Sequence, residues 1–194
     1  MENKEKLLAL VGYSTKGGNT EKLLKDYLDL YGKDKLVDIV DLNTLDFKGC
    51  IHCKACLKKP RCKLEDDLSP IYEKVEAAEE LVFASPVYFN GLSWLLKKFI
   101  DRMQVYFPHE MNWQEKKQAS LLVTAGAPSY PRQFDASYLE AEITFKTLGY
   151  EKIRVVQVNN TDKEPYERGS LNEDVMKKNG IYRRKGRQWE LIEE

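Results

Sequence analysis

The chain reads as an α/β protein built on a doubly wound parallel sheet. Two observations predict this. Short apolar runs recur along it, at Leu7–Val11, Leu36–Val40, Leu81–Ala84, Ala119–Thr124 and Ile153–Val158. Between them lie segments whose apolar residues fall at helical spacing, so strands and helices alternate. Such alternation puts a parallel sheet in the middle with helices on both faces. At 194 residues the chain is long enough to bury a substantial core in one domain.

The first strand runs from about Lys6 to Tyr13. A polar loop leads into a helix from about Asn19 to Tyr31, with Leu23, Leu24, Tyr27, Leu28 and Tyr31 on one face and Gly32 as its stop. Leu36–Val40 forms the second strand, and a long connection holding every cysteine follows. Ser69-Pro70 opens a helix with proline in its first turn, carrying Ile71, Tyr72, Val75 and Ala78 on one face. Leu81–Ala84 is a third strand ending at Ser85-Pro86, and Leu92–Met103 is helical. Residues 104–117, with Tyr106, Phe107 and Trp113, are long for a helix–strand connection. Ala119–Thr124 is the fourth strand, Ser137–Leu148 a helix closed by Gly149, and Ile153–Val158 the fifth strand. A short helix is expected between Leu171 and Asn179. Five strands in this pattern suit a flavodoxin-like sheet of order 2-1-3-4-5. The tail beyond Val158 is polar and partly basic (Arg183, Arg184, Lys185, Arg187) and reads as a solvated or subunit-contacting end. The expected organisation is a single domain over 1–194, with a cysteine loop at 48–66 and an extension after about 160.

Composition narrows the function. The 31 basic and 31 acidic residues balance, which argues against a nucleic-acid or membrane-surface protein. No stretch approaches the roughly 18 apolar residues of a membrane span. The polar start, Met1–Lys6, precedes an apolar run too short for a signal-peptide core. A cytoplasmic location is expected.

In a doubly wound sheet, ligands collect outside the carboxyl ends of the strands. Three loops lie there. The first, Ser14-Thr15-Lys16-Gly17-Gly18-Asn19-Thr20, joins a strand to a helix and can aim backbone N–H groups and hydroxyls at one anion, with the helix dipole behind it. A phosphate suits it; a plain turn capped by Thr20 or Asn19 is the other reading. Its spacing fits neither the Walker loop nor the GxGxxG dinucleotide loop. The second, Ser85 to Gly91, sets Pro86, Val87, Tyr88, Phe89 and Asn90 on the rim. The third, Thr124 to Tyr130, adds Thr124, Ala125, Gly126 and Tyr130. A phosphate site beside two loops with aromatic and backbone groups suits a mononucleotide with a flat ring, and FMN fits that description.

Cys50, Cys53, Cys56 and Cys62 form C-x2-C-x2-C-x5-C and are the four cysteines of the chain. Thiolates crowded this way point to metal or redox chemistry, and the spacing suits a [4Fe–4S] cluster. Zinc fits less well, since its knuckles come as two separated C-x2-C pairs. Lys54, Lys58, Lys59, Arg61 and Lys63 flank the thiolates and would offset an anionic cluster. His52 reads as a supporting donor or an exposed side chain rather than a ligand.

The sequence resembles the NADPH-dependent FMN reductase family of the flavodoxin-like superfamily, and within it the iron–sulfur flavoproteins. The matching pieces are Lys16–Leu24, Cys50–Cys56 with Cys62, Glu65-Asp66-Asp67, Ala84–Phe89 and Lys97–Arg102. They cover roughly residues 6 to 160. The first loop departs from the family's usual Gly-Ser-Pro-Arg and is more like true flavodoxins, with Ser14, Thr15, Asn19 and Thr20 as phosphate donors. The resemblance implies that Pro86–Asn90 and Thr124–Gly126 line the isoalloxazine ring. It implies an FMN-dependent oxidoreductase that takes electrons from NAD(P)H to an unidentified acceptor, ferredoxin-like if the cluster is present. No protein acid or base is nominated as catalytic. A homo-oligomer, dimer or tetramer, is also implied, with the 104–117 loop at a neighbouring subunit or packed as a flap on its own domain. Two rival readings share parts of this. One is an electron-transfer module without small-molecule turnover; the other is a zinc-stabilised scaffold without flavin.

Overall fold

The computed structural model describes residues 4–13, 15–109, 117–172, 181–185 and 188–193. Along the chain come β1 (Lys6–Val11), α1 (Asn19–Tyr31), β2 (Leu36–Asp41), α2 (Ser69–Ala77), β3 (Glu80–Tyr88), β4 (Gly91–Leu92), α3 (Trp94–Arg102), β5 (Lys117–Thr124), α4 (Asp135–Thr147), β6 (Tyr150–Val158), β7 (Ile181–Lys185) and β8 (Gln188–Glu193). One sheet runs in the order β2-β1-β3-β5-β6-β7-β8, with β4 paired to β3 alone. From β2 to β7 every neighbouring pair is parallel; β8 and β4 are added antiparallel.

The alternation of side chains along the strands sorts the apolar residues to two faces. Leu7, Ala9 and Val11 of β1 pack with Leu23, Leu24 and Tyr27 of α1. Leu8 and Leu10 face the other way, into a core shared with Ile71 and Val75 of α2, Leu96 and Phe99 of α3, and Phe145 of α4. Burial on both faces explains why the central strands read as continuous apolar runs. Polar bonds then fix α1 on its face. The buried Tyr27 hydroxyl donates to Glu80 Oε1 at 2.6 Å, lies 2.6 Å from Ser120 Oγ and accepts from Arg154 Nη1 at 2.7 Å. The carboxylate of Asp26 accepts from the Tyr166 hydroxyl and the Gly169 N–H, both at 2.7 Å, and so ties the chain after β6 onto α1.

The expectation of five strands is corrected by this sheet, which has eight strands among the described residues. The tail is not a solvated end: β7 pairs with β6, Tyr182 is buried, and Arg183 Nε donates to Gln157 Oε1 at 2.8 Å. A strand with a single buried apolar position carries too little alternation to stand out among arginines. The third strand also runs on through Ser85-Pro86 to Tyr88 before turning into β4. The helix expected between Leu171 and Asn179 falls almost wholly outside the described residues, as does Trp113. No helix among the described residues is long and apolar enough to cross a membrane.

Candidate functional site

The ends of β1, β3 and β5 bring the three ligand-side loops together. After β1 the chain turns at Gly12, whose N–H donates to the Ala84 carbonyl at 2.9 Å. A Cβ at Gly12 would lie 2.5 Å from Ser93 Oγ and 2.9 Å from Leu96 Cβ, so the start of α3 presses directly on this loop. Gly17 adopts φ 72°, which an L side chain rarely tolerates. Its N–H donates to Glu21 Oε2 at 2.5 Å. The Glu21 carboxyl is held below its ordinary pKa by its bonds from Lys25 and the Gly17 N–H, which outweigh desolvation. An anion therefore already sits against this turn, which shows what the loop's amides can do. Burial, then Glu21 and Asp41, push the Tyr13 hydroxyl up to about 12, so it stays protonated beside the loop.

The nominated phosphate residues divide. Thr15 and Lys16 are exposed, and Gly18 is half-buried. Neither Asn19 nor Thr20 caps α1: the N-cap is Gly18, with no side-chain cap bond. Asn19 Oδ1 instead accepts from the Tyr166 N–H at 2.8 Å. Thr20 is buried, its Oγ1 2.6 Å from Thr124 Oγ1, a bond that ties the first loop to the third. Ser14 lies outside the described residues.

The second loop is a β-hairpin. Val87 pairs with Leu92 and Tyr88 with Gly91, leaving Phe89 and Asn90 at the tip with φ of 49° and 66°. Two residues with positive φ suit a tight hairpin turn, in which asparagine is at home and phenylalanine is strained. Asn90 bears the restraint. Its Oδ1 accepts from the Tyr130 hydroxyl at 2.5 Å, its Nδ2 donates to the Arg132 carbonyl at 3.3 Å, and its carbonyl accepts from Ser137 Oγ at 2.7 Å. Tyr88 and Phe89 are exposed at the rim, and Tyr130 partly so. Pro86 and Val87 are half-buried beneath them. Ser85 Oγ accepts from the Ser93 N–H at 3.0 Å and donates to the Pro86 carbonyl, again joining loop to α3.

In the third loop Thr124 and Ala125 are buried and Gly126 is half-buried. A segment unforeseen in the sequence straps this loop. Thr161, Asp162 and Asn160 donate backbone N–H groups to the carbonyls of Ala125, Gly126 and Ala127 at 3.1, 3.2 and 2.8 Å. The Asn-Asn-Thr-Asp run directly after the sixth strand was the available signal, since such residues gather in turns.

The cysteines occupy a loop that runs along α3. Lys98 Nζ sits 4.1 Å over the Phe47 ring, and the loop then reaches the far end of the helix. There Cys50, Cys53, Cys56 and Cys62 line one cavity of about 400 Å3, together with Arg102, Gln104 and Val105. All four thiols are free; Cys50 and Cys53 are exposed, and Cys56 and Cys62 are half-buried against the core. Burial first, and then the neighbouring Cys50, Cys53 and Cys62, raise the Cys56 thiol above its ordinary pKa. Among the described residues, no three His, Cys, Asp or Glu side chains are gathered closely enough to hold a metal ion. His52 and Lys54 take positive φ of 53° and 60°. Left-handed residues in a turn curl backbone N–H groups inward, a concavity common around anions and iron–sulfur groups. His52 is exposed, and so are Lys54, Lys58, Lys59, Arg61 and Lys63. The donor set, four thiols on one cavity with a cationic rim, therefore fits a thiolate-bound cluster in its chemistry. The loop after α3 splits as well: Tyr106 is buried and donates to Glu76 Oε1 at 2.7 Å, Phe107 is exposed, and His109 Nε2 donates to the Cys56 carbonyl at 2.6 Å.

α3 thus connects two sites. Its first residues are wedged against the ligand-side loops, and its last residue lines the cysteine cavity. Nine residues make a helix about 13 Å long. Arg102 was missed as a functional candidate. The signal was its position on the buried face of α3 with Leu95, Leu96 and Phe99, where a charge demands a partner.

The model of the NADPH-dependent FMN reductase family matches residues 5–133. An iron–sulfur flavoprotein of Methanocaldococcus jannaschii is 28% identical over 63% of this chain and 62% of its own length. One from Archaeoglobus fulgidus is 32% identical over 62% of this chain and 55% of its own. The matched stretch thus spans less than two thirds of these curated relatives. Among solved structures, an NAD(P)H:quinone oxidoreductase from Methanothermobacter marburgensis superposes with TM-score 0.67 at 14% identity, covering 81% of this chain and 85% of that one. An FMN-dependent NADH-azoreductase from Bacillus anthracis, in complex with FMN, gives TM-score 0.57 at 12% identity, covering 81% and 88%. These likenesses show the flavodoxin-like fold, and the sequence match shows the family: the chain belongs to the NADPH-dependent FMN reductases.

Proposed function

We propose that the chain, acting as one domain over 1–194, is an FMN-dependent oxidoreductase that passes electrons between NAD(P)H and an acceptor, with Cys50, Cys53, Cys56 and Cys62 holding a [4Fe–4S] cluster. One observation carries the reading: the helix whose start is wedged among the ligand-side loops ends at a cavity lined by all four thiols. When bound, FMN supplies hydride and single-electron chemistry, and a cluster supplies single-electron transfer.

The chain's own residues bind and orient. Thr15, Lys16, Gly18, Asn19, Thr20 and Ser14 form the phosphate loop, in which the first-turn N–H groups of α1 lack intrahelical partners and point at the ligand. Glu21 leaves the Gly17 N–H when phosphate takes that place. Pro86, Val87, Tyr88, Phe89 and Asn90 border the flat ring on one side, and Thr124, Ala125, Gly126 and Tyr130 on the other. Backbone N–H groups at the ring's edge favour negative charge there without reorganising. Lys54, Lys58, Lys59, Arg61 and Lys63 surround the cysteines, with no Asp or Glu between residues 47 and 64. That rim favours an acidic, ferredoxin-like electron carrier as the acceptor. The exposed apolar side chains of Leu139, Ile143, Phe107 and Trp94 support a homo-oligomer, which light scattering would test.

Cys56→Ser tests the reading. The variant should lose cluster absorbance and electron exchange with a carrier while binding FMN as before. Loss of FMN together with the cluster would make the cysteine motif structural. Stopped-flow reduction by NADPH and by NADH separates a reductase from a pure electron-transfer module, which would show no turnover with either.

A further inference from the structure

We propose that Arg102 is the positioning residue that shapes the cysteine loop, by holding both ends of the loop at once. The inference rests on the reading of the four cysteines as a ligand set. Arg102 is 1% exposed, yet it lines the cysteine cavity. Its Nη1 donates to the Lys48 carbonyl, ahead of the first cysteine, at 2.7 Å. Its Nη2 donates to the Leu64 carbonyl, behind the last, at 3.4 Å. Both nitrogens also meet Asp66, at 2.7 Å to Oδ2 and 3.3 Å to Oδ1, and Nε donates to the Tyr72 hydroxyl at 3.1 Å. Asp66 in turn accepts from the N–H groups of Lys48 and Leu68 at 3.1 and 3.2 Å. Asp67 closes the same neck, accepting from the Asp46 N–H at 2.8 Å.

Between these ends the loop is anchored where Cys56 and Cys62 pack against the core and where His109 Nε2 donates to the Cys56 carbonyl at 2.6 Å. Its only regular piece among the described residues is the single 3-10 turn Ala55–Leu57. Holding four thiols on one cavity therefore costs conformational entropy that no strand or helix offsets. A planar guanidinium can serve two carbonyls, a carboxylate and a hydroxyl together; a lysine ammonium cannot. One side chain on a rigid helix thus sets where the loop begins and ends, and with that the spacing of the thiols.

The test compares the full FMN-bound chain with Arg102→Lys and Asp66→Asn by hydrogen–deuterium exchange, followed by iron retention against a chelator after anaerobic loading. In Arg102→Lys, peptides within 46–68 should exchange about tenfold faster, as losing a charged hydrogen-bond network implies. Peptides of β1 and α1 should not change, and FMN should stay bound. Asp66→Asn should show a smaller increase at the same peptides, and both variants should release iron faster than wild type. Unchanged exchange at 46–68 in both variants overturns the proposal. So does an equal rise across the whole fold, or failure of both variants to fold, because Arg102 would then support the core at large. A wild type that takes up no iron, with the local exchange effect intact, removes the cluster reading and leaves the clamp standing.

Discussion

The two ends of α3 are built on different principles. At its start, the ligand-side loops grow directly out of the sheet. Gly12 donates to Ala84, Ala125 donates to Val158, and Pro86 pairs in register with Thr124, so the loops inherit the alignment of β1, β3, β5 and β6. At its end, the cysteine loop is hung on the outside of the fold, and one buried guanidinium with its carboxylate closes the neck. A site continuous with a central sheet shares the stability of the whole domain. A grafted loop has a local stability of its own and can open while the rest stays folded.

The strongest challenge to this contrast is a core truncation. Phe83 is fully buried on β3, its ring centroid 4.4 Å from that of Phe145 and 6.0 Å from that of Phe99. Phe83→Ala should cost about 3–5 kcal/mol. Denaturant unfolding followed by flavin fluorescence and by cysteine accessibility should show both transitions moving down, the flavin signal by the full amount. A shift confined to the cysteine signal would break the comparison. Asn90→Ala removes the bonds to Tyr130 and Arg132 from a left-handed residue and should cost about 1–2 kcal/mol at the hairpin. FMN titration should show roughly tenfold weaker binding, with exchange at residues 46–68 unchanged. The smallest effect should appear with acid. Burial raises the Asp66 pKa, but the bonds from Arg102 and the Lys48 and Leu68 N–H groups outweigh it, leaving the carboxyl below its ordinary value. A depressed folded value contributes stability that is fully present above the unfolded pKa of about 3.9 and lost as pH falls through the folded one. Exchange at residues 46–68 should therefore rise below about pH 4, and Asp66→Asn should flatten that rise.

The contrast also explains what could be read from the amino-acid sequence. The strands buried on both faces announce themselves as apolar runs, and α1 was legible from Asn19 to Tyr31 because its face repeats at helical spacing and Gly32 ends it. The cysteine spacing was legible because the chemistry is local. The bonds that make these pieces into sites span long sequence separations and leave no local trace. Asn90 looked like a rim amide, but both ends of its side chain are committed to holding the hairpin against the loop that leads into α4. Asn19 looked like a cap and serves Tyr166 instead. Arg102 reaches back to Lys48, and a strand at residues 181–185 extends a sheet begun at residue 6, which a polar, arginine-rich stretch does not advertise.

The central claim is that one helix carries a flavin site at its start and a cluster site at its end. It is tested most directly by an absorbance spectrum of protein purified without oxygen, with iron, zinc and flavin analysis of the same sample. The account predicts two flavin bands under a broad additional absorbance, with one FMN and about four irons per chain. Flavin bands with no iron, or with zinc in its place, would contradict the claim at the cysteine end; a colourless protein would contradict it at both.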